Sequence, residues 1–150
     1  MSRGSSIIST VLGSCVAVSL WESKKNYGGM VHYLYPTTID KKRGATARYG
    51  DAAVSYLIKM FLEEEAADKK SIRAQIFGGA SLQSVKCMEI AEENIGIARL
   101  VLERFNVKIV SEDVGGAVGR KLVYNTFSNE AVVYKTVKLR HGDWYPYINT

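Results

Sequence analysis

Two runs of strand-forming residues, Ile7-Ile8-Ser9-Thr10-Val11-Leu12 and Val16-Ala17-Val18-Ser19-Leu20-Trp21, are separated only by Gly13-Ser14-Cys15. A junction that short has to be a tight bend between extended segments, and Gly13 supplies the backbone freedom it needs. The bend also carries a thiol, a poor choice for a turn unless the sulfur is used. Further on, Tyr27-Gly28-Gly29-Met30-Val31-His32 places an imidazole in another extended segment, again just after glycines. The expectation that follows is that Cys15 and His32 meet in space and that the rest of the chain holds them together.

A chain of 150 residues has the usual size of one domain, and 47% hydrophobic with 23% charged content is ordinary for a globular protein. No apolar run approaches the roughly 18 residues needed to span a bilayer. Met1-Ser2-Arg3-Gly4-Ser5-Ser6 lacks the apolar region of a secretory signal, so a cytoplasmic protein with free thiols and no membrane insertion is expected. The net charge of +5 comes from 20 basic and 15 acidic residues. The basic residues are scattered over Lys24-Lys25, Lys41-Lys42-Arg43, Lys69-Lys70 and Arg120-Lys121, mostly where turns and strand ends belong. That pattern reads as solvated turns, with no nucleic-acid partner.

Residues 28–35 form a strand stopped by Pro36, with Met30, His32 and Leu34 on one face. Residues 37–47 are a polar loop, a candidate lip for a groove. A helix is predicted over 49–67 from Ala53, Leu57, Met60 and Phe61, with Asp51 in its opening turn and fraying at Glu63-Glu64-Glu65. Residues 72–77 are a strand ending at Gly78-Gly79. A second helix over 82–105 carries Val85, Ile90, Ile97, Val101 and Phe105 near one face, and Asn106 stops it. A strand over 107–111 leads into a glycine-rich loop at 112–120. Residues 121–126 and 132–138 pair as a hairpin around Ser128-Asn129. The aromatic tail, residues 140–150 with Trp144, Tyr145 and Tyr147, has no assignable structure.

An imidazole within hydrogen-bond reach of a thiol takes its proton and makes the sulfur a usable nucleophile. The matching reaction is acyl transfer through a thioester, with backbone N–H groups around Ser14 and Cys15 holding the developing oxyanion. A third group must orient the imidazole, and the hydroxyls of Ser9 and Thr10 lie on the strand beside the thiol. The plainer alternatives are that Cys15 is a small buried hydrophobe and His32 a satisfied core residue. Cys87, beside Met88 and Ile90 on the second helix, reads as packing. Cys15, His32, Cys87 and His141 share no metal-ligand spacing, and Gly115-Gly116-Ala117-Val118-Gly119 does not match the dinucleotide fingerprint. No metal and no cofactor is expected.

Several blocks together resemble the chemoreceptor glutamine deamidase family CheD. They are Leu12-Gly13-Ser14-Cys15-Val16-Ala17-Val18, Gly28-Gly29-Met30-Val31-His32, Ala47-Arg48-Tyr49-Gly50-Asp51, Ile76-Phe77-Gly78-Gly79-Ala80, Ile95-Gly96, Glu112-Asp113-Val114-Gly115-Gly116 and Gly119-Arg120-Lys121. They fall in the family's order over residues 7–137. The resemblance implies a single α+β domain over residues 1–139, a mixed β-sandwich flanked by two main helices and shared with deamidating bacterial toxins. It implies hydrolysis of glutamine side-chain amides on the cytoplasmic helices of bacterial chemoreceptors, giving glutamate and ammonia, with Cys15 as nucleophile and His32 as base. The family's third member is a threonine hydroxyl upstream of the cysteine. Counting back without gaps gives Ser9, which is favoured on that register, with Thr10 as its rival; adjacent strand residues face opposite ways, so only one can serve.

The resemblance also implies a chemotaxis phosphatase, CheC, as partner, competing with receptors for one groove. That groove is expected to be walled by Ser14, the loop after Pro36, Phe77-Gly78-Gly79 and Asp113-Val114-Gly115-Gly116. A non-catalytic adaptor of the same fold is the alternative, admitted by serine where the family has threonine. Transamidation, with a lysine amine in place of water, is a third reading.

Overall fold

The computed structural model describes residues 4–38, 46–81 and 84–136. Seven strands and two helices follow in the order β1 (Ile7–Leu12), β2 (Val16–Glu22), β3 (Tyr27–Tyr33), α1 (Gly50–Lys59), β4 (Ile72–Gly78), α2 (Val85–Arg104), β5 (Lys108–Val114), β6 (Gly119–Asn125) and β7 (Ala131–Thr136). The strands make two sheets, β3-β2-β4-β5 and β1-β6-β7. β2 pairs antiparallel with β3 and β4, while β4 and β5 are parallel and need the α2 crossover between them. The bend at Gly13-Ser14-Cys15 is where the chain leaves one sheet and enters the other.

β2 is covered on both faces, which is why its residues read as a nearly unbroken apolar run. Val16, Val18 and Leu20 pack with Ile72, Ala74 and Ile76 of β4 against Val54, Leu57, Ile58 and Phe61 from the first helical segment and Ala98, Val101 and Leu102 from α2. On the opposite face Ala17 and Phe77 meet Leu12 and Leu122 of the three-stranded sheet, with Cys15, Met30, Ala131 and Val133 at the margin. The order of layers is therefore helices, four-stranded sheet, three-stranded sheet. This is the expected α+β sandwich with two helices, both laid on one side.

Three local expectations change. The first helix does not fray at its acidic end: Met60–Glu64 continues as a π-turn, Glu65 N–H bonding Met60 C=O, and the chain leaves through Ala66 at φ 48°. β5 runs on to Val114, so the glycine loop is shorter than its composition suggests. The face of α2 is also rephased. Its buried side is Ala91, Asn94, Ile95, Ala98, Val101 and Leu102, whereas Val85 is 73% exposed. Small residues mark that face because the helix packs closely, and the bulkier Val85 and Ile90 belong elsewhere. Most of the loop after Pro36, His141 and the 140–150 tail lie outside the described residues.

Candidate active site

The bend carrying Cys15 is held by its carbonyls. Gly13 C=O accepts from Ala80 N–H and Cys15 C=O from Gly79 N–H, both at 2.8 Å, and Ser14 C=O accepts from the Asn94 side-chain amide at 3.0 Å. Gly78 and Gly79 adopt φ of +105° and +68°, and a Cβ on Gly78 would stand 2.3 Å from the Cys15 oxygen. Only glycine lets the end of β4 approach the bend so closely. With the carbonyls turned into the protein, the N–H groups of Gly13 and Cys15 lie toward the sulfur.

His32 sits on β3, an edge strand, opposite Ala17 on β2. Cys15 lies two residues before Ala17 and packs at the margin of the inter-sheet core that Ala17 belongs to. Cys15 immediately precedes β2, and His32 pairs with the second residue of that strand, so thiol and imidazole are carried at the same end of the β2–β3 pair. Thr10 comes from β1, an edge strand of the other sheet, and its Oγ1 lies 3.0 Å from His32 Nδ1.

Of the two alternative hydroxyls, Ser9 and Thr10, the one in contact with the ring is Thr10. Thr10 is paired with Leu122, which is buried between the sheets, so its side chain faces inward; Ser9 pairs with Val123 and faces the other way.

Burial pushes the Cys15 thiol above its ordinary pKa, and the N–H groups of Gly13 and Cys15 pull it only part of the way back. Partial desolvation lowers His32. Both shifts favour an uncharged pair at neutral pH, a thiol beside a neutral imidazole. Cys15 is half-buried and His32 exposed, so both are open to a partner's side chain.

The expected groove residues separate into two groups. Phe77, Gly78 and Gly79 are buried and support the bend from beneath, and a Cβ on Gly79 would lie 2.6 Å from the Ile95 side chain. Gly115 and Gly116, at φ +76° and +75°, have open space where a Cβ would go, and Ser14 is half-buried at the bend itself. Asp113 is engaged with Arg120 Nε at 2.9 Å and Lys135 Nζ at 3.3 Å.

Two further residues build the surroundings, and the first corrects the reading of Arg120-Lys121 as a solvated basic turn. Arg120, 2% exposed, also donates to Gly115 C=O at 2.8 Å; Gly115 N–H bonds Gly78 C=O at 2.9 Å and Ser81 N–H bonds Gly116 C=O at 2.8 Å. The glycine turn is thereby fastened beside the bend. Asn94 is the other, and its signal was a polar residue on the alanine-lined face of α2.

The bend bearing Cys15 and the contact between His32 of β3 and Thr10 of β1 both lie where the two sheets of an α+β sandwich meet, and thiol, imidazole and hydroxyl are the residue types of a cysteine hydrolase. Residues 34–135 match the family described as CheD chemotactic sensory transduction. A probable chemoreceptor glutamine deamidase CheD of Trichlorobacter lovleyi is 41% identical over 123 residues, covering 81% of this chain and 75% of that protein. A protein of the same description from Sulfurimonas denitrificans is 39% identical over 131 residues (85% and 83%), and one from Pyrococcus abyssi 33% over 140 (90% and 85%). The chain belongs to the CheD family. The family match begins two residues after His32, so it does not include Cys15, His32 or Thr10.

Proposed function

We propose that this protein hydrolyses the side-chain amide of glutamines on chemoreceptor cytoplasmic helices, with Cys15 as nucleophile, His32 as base and Thr10 as the hydroxyl that orients the ring. The observation that carries the assignment is the contact between Thr10 Oγ1 and His32 Nδ1. With Nδ1 engaged, Nε2 is the nitrogen left to exchange a proton with the sulfur. As His32 takes the thiol proton, sulfur attacks the amide carbon. The imidazolium then gives that proton to the departing nitrogen, ammonia leaves, and a thioester remains. Water, deprotonated by the same imidazole, cleaves the thioester to glutamate and restores the thiol. In this reading the N–H groups at the bend, next to the sulfur, receive the carbonyl oxygen as it gains charge.

The adaptor alternative drew on serine in the position of threonine. Thr10 removes that basis, since a threonine hydroxyl reaches the ring. Relatives carrying the name chemoreceptor glutamine deamidase support the substrate class, and a CheC-type phosphatase is proposed as the second partner at the same lip, around Gly115 and Gly116. Among the described residues, no helix is long and apolar enough to cross a membrane. Ammonia release from a purified receptor fragment tests the activity: wild type should release it and Cys15→Ala should not. Release by Cys15→Ala at the wild-type rate, or none by wild type, would replace the enzyme with the adaptor.

A further inference from the structure

Asn94 is completely buried in the middle of α2. Its side-chain amide donates to two carbonyls, Ser14 C=O and Leu34 C=O, each at 3.0 Å. Ser14 immediately precedes Cys15, and Leu34 follows β3 two residues beyond His32. The hydroxyl of Tyr33, between His32 and Leu34, donates to the main-chain carbonyl of Asn94. One helical residue therefore touches both segments that carry the thiol and the imidazole.

The arrangement has a cost. Asn94 Oδ1 is buried and has no hydrogen-bond partner among the described residues. Turning the amide over would not relieve it, because both carbonyls would then face an oxygen. An orphaned buried acceptor is unfavourable, and an asparagine in a helix interior is a weaker helix former than alanine or leucine. Packing alone would be served better by an apolar residue.

We propose that Asn94 is a positioning residue: its amide ties the bend bearing Cys15 to the end of the strand bearing His32 and so sets the spacing of thiol and imidazole. The inference rests on Cys15 and His32 being the reacting pair. Two readouts on the full chain test it, ammonia release from a receptor fragment and the pH dependence of Cys15 alkylation by iodoacetamide, with Cys87 of the same chain as the reference thiol.

Asn94→Ala should lower kcat roughly 10²-fold, the scale of a misplacement near 1 Å. Its KM should stay within about twofold, and the pH profile of Cys15 relative to Cys87 should move. Val101→Ala, which loosens the same buried face of α2, should keep wild-type kcat and profile. If Asn94→Ala does not fold, Asn94→Ser takes its place; a serine hydroxyl serves at most one carbonyl, and a smaller fall in kcat is expected. Wild-type kcat and profile in the folded variant, or an equal loss in Val101→Ala, would overturn the proposal. His32→Ala separates the two levels. Full turnover by that variant would sink the reacting pair itself, whereas loss there without loss at Asn94 would sink only the positioning role.

Discussion

The hydroxyl of Thr10 and Nδ1 of His32 lie 3.0 Å apart although their strands belong to different sheets. The imidazole is thus oriented from across the sandwich, and that relationship sets the first expectation. Thr10→Ala should lower kcat by roughly 10²-fold, as a ring free to turn loses its alignment with the sulfur. Ser9→Ala, on the outward face of the same strand, should stay near wild type. Steady-state ammonia release by the two variants checks this, and the reverse ranking would restore Ser9.

The uncharged pair has a pH signature. His32 is lowered by desolvation, so the rising limb of kcat/KM should have its midpoint below the ordinary histidine value of about 6.5. Burial raises Cys15, so its alkylation by iodoacetamide should keep climbing above the ordinary thiol value of about 8.5. Alkylation that is already level between pH 5 and 8 (a range on the order of that seen for activated thiolates) would show an ion pair at rest instead. The sign for stability agrees: a histidine lowered on folding leaves the unfolded chain binding more protons, so stability falls as pH drops through about 6.5 toward the folded value.

Gly116 is the better probe of the substrate lip, because Gly79→Val would drive a side chain into Ile95 whatever the substrate does. A Cβ on Gly116 meets nothing within 4 Å, and its left-handed φ of +75° makes the expected stability cost of Gly116→Ala about 1 kcal/mol. A several-fold rise in KM with kcat little changed is expected. Unchanged KM for a receptor fragment would remove the turn from the lip.

Asp113 is the carboxylate partner of the buried Arg120 guanidinium. Asp113→Ala should destabilise the fold by about 3 kcal/mol, since it strands that cation. Burial raises the Asp113 pKa, but hydrogen bonds from Arg120 and Lys135 outweigh it and hold the carboxyl below the usual range. The stability it contributes is present above the ordinary aspartate value of about 3.9 and is lost as pH falls further toward the folded value. Urea titrations of wild type and Asp113→Ala at pH 7 and in acid check both; a variant as stable as wild type at pH 7 would contradict the pairing.

Strand boundaries were legible wherever a local breaker set them. Gly13 ends β1 and Lys24-Lys25-Asn26 turns β2 into β3, where Asn26 takes φ 53°. Cys15 and His32 stand out in the sequence because one places a thiol in a bend and the other an imidazole in an apolar strand. What stayed hidden depends on distant partners. Alternation says that Ser9 and Thr10 face opposite ways, but which one faces inward is decided by pairing with Val123 and Leu122, more than a hundred residues away. Asn94 was passed over because the bulky residues of α2 suggested another face, and only contact with Ser14 and Leu34 shows what its amide holds. The π-turn after Lys59 has no marker in Met60-Phe61-Leu62, which suit an α-helix equally well.

The inter-sheet core is small: Leu12, Ala17, Phe77 and Leu122 form its fully packed part. Thr10 and His32 approach one another while those four side chains, together with the Arg120–Asp113 ion pair, keep the two layers in register. Heat or denaturant that lets the thinner layer slide should therefore silence turnover while the helices and their sheet still resist melting. In such a protein, fading activity would be an early alarm, sounding well before the bulk of the chain lets go.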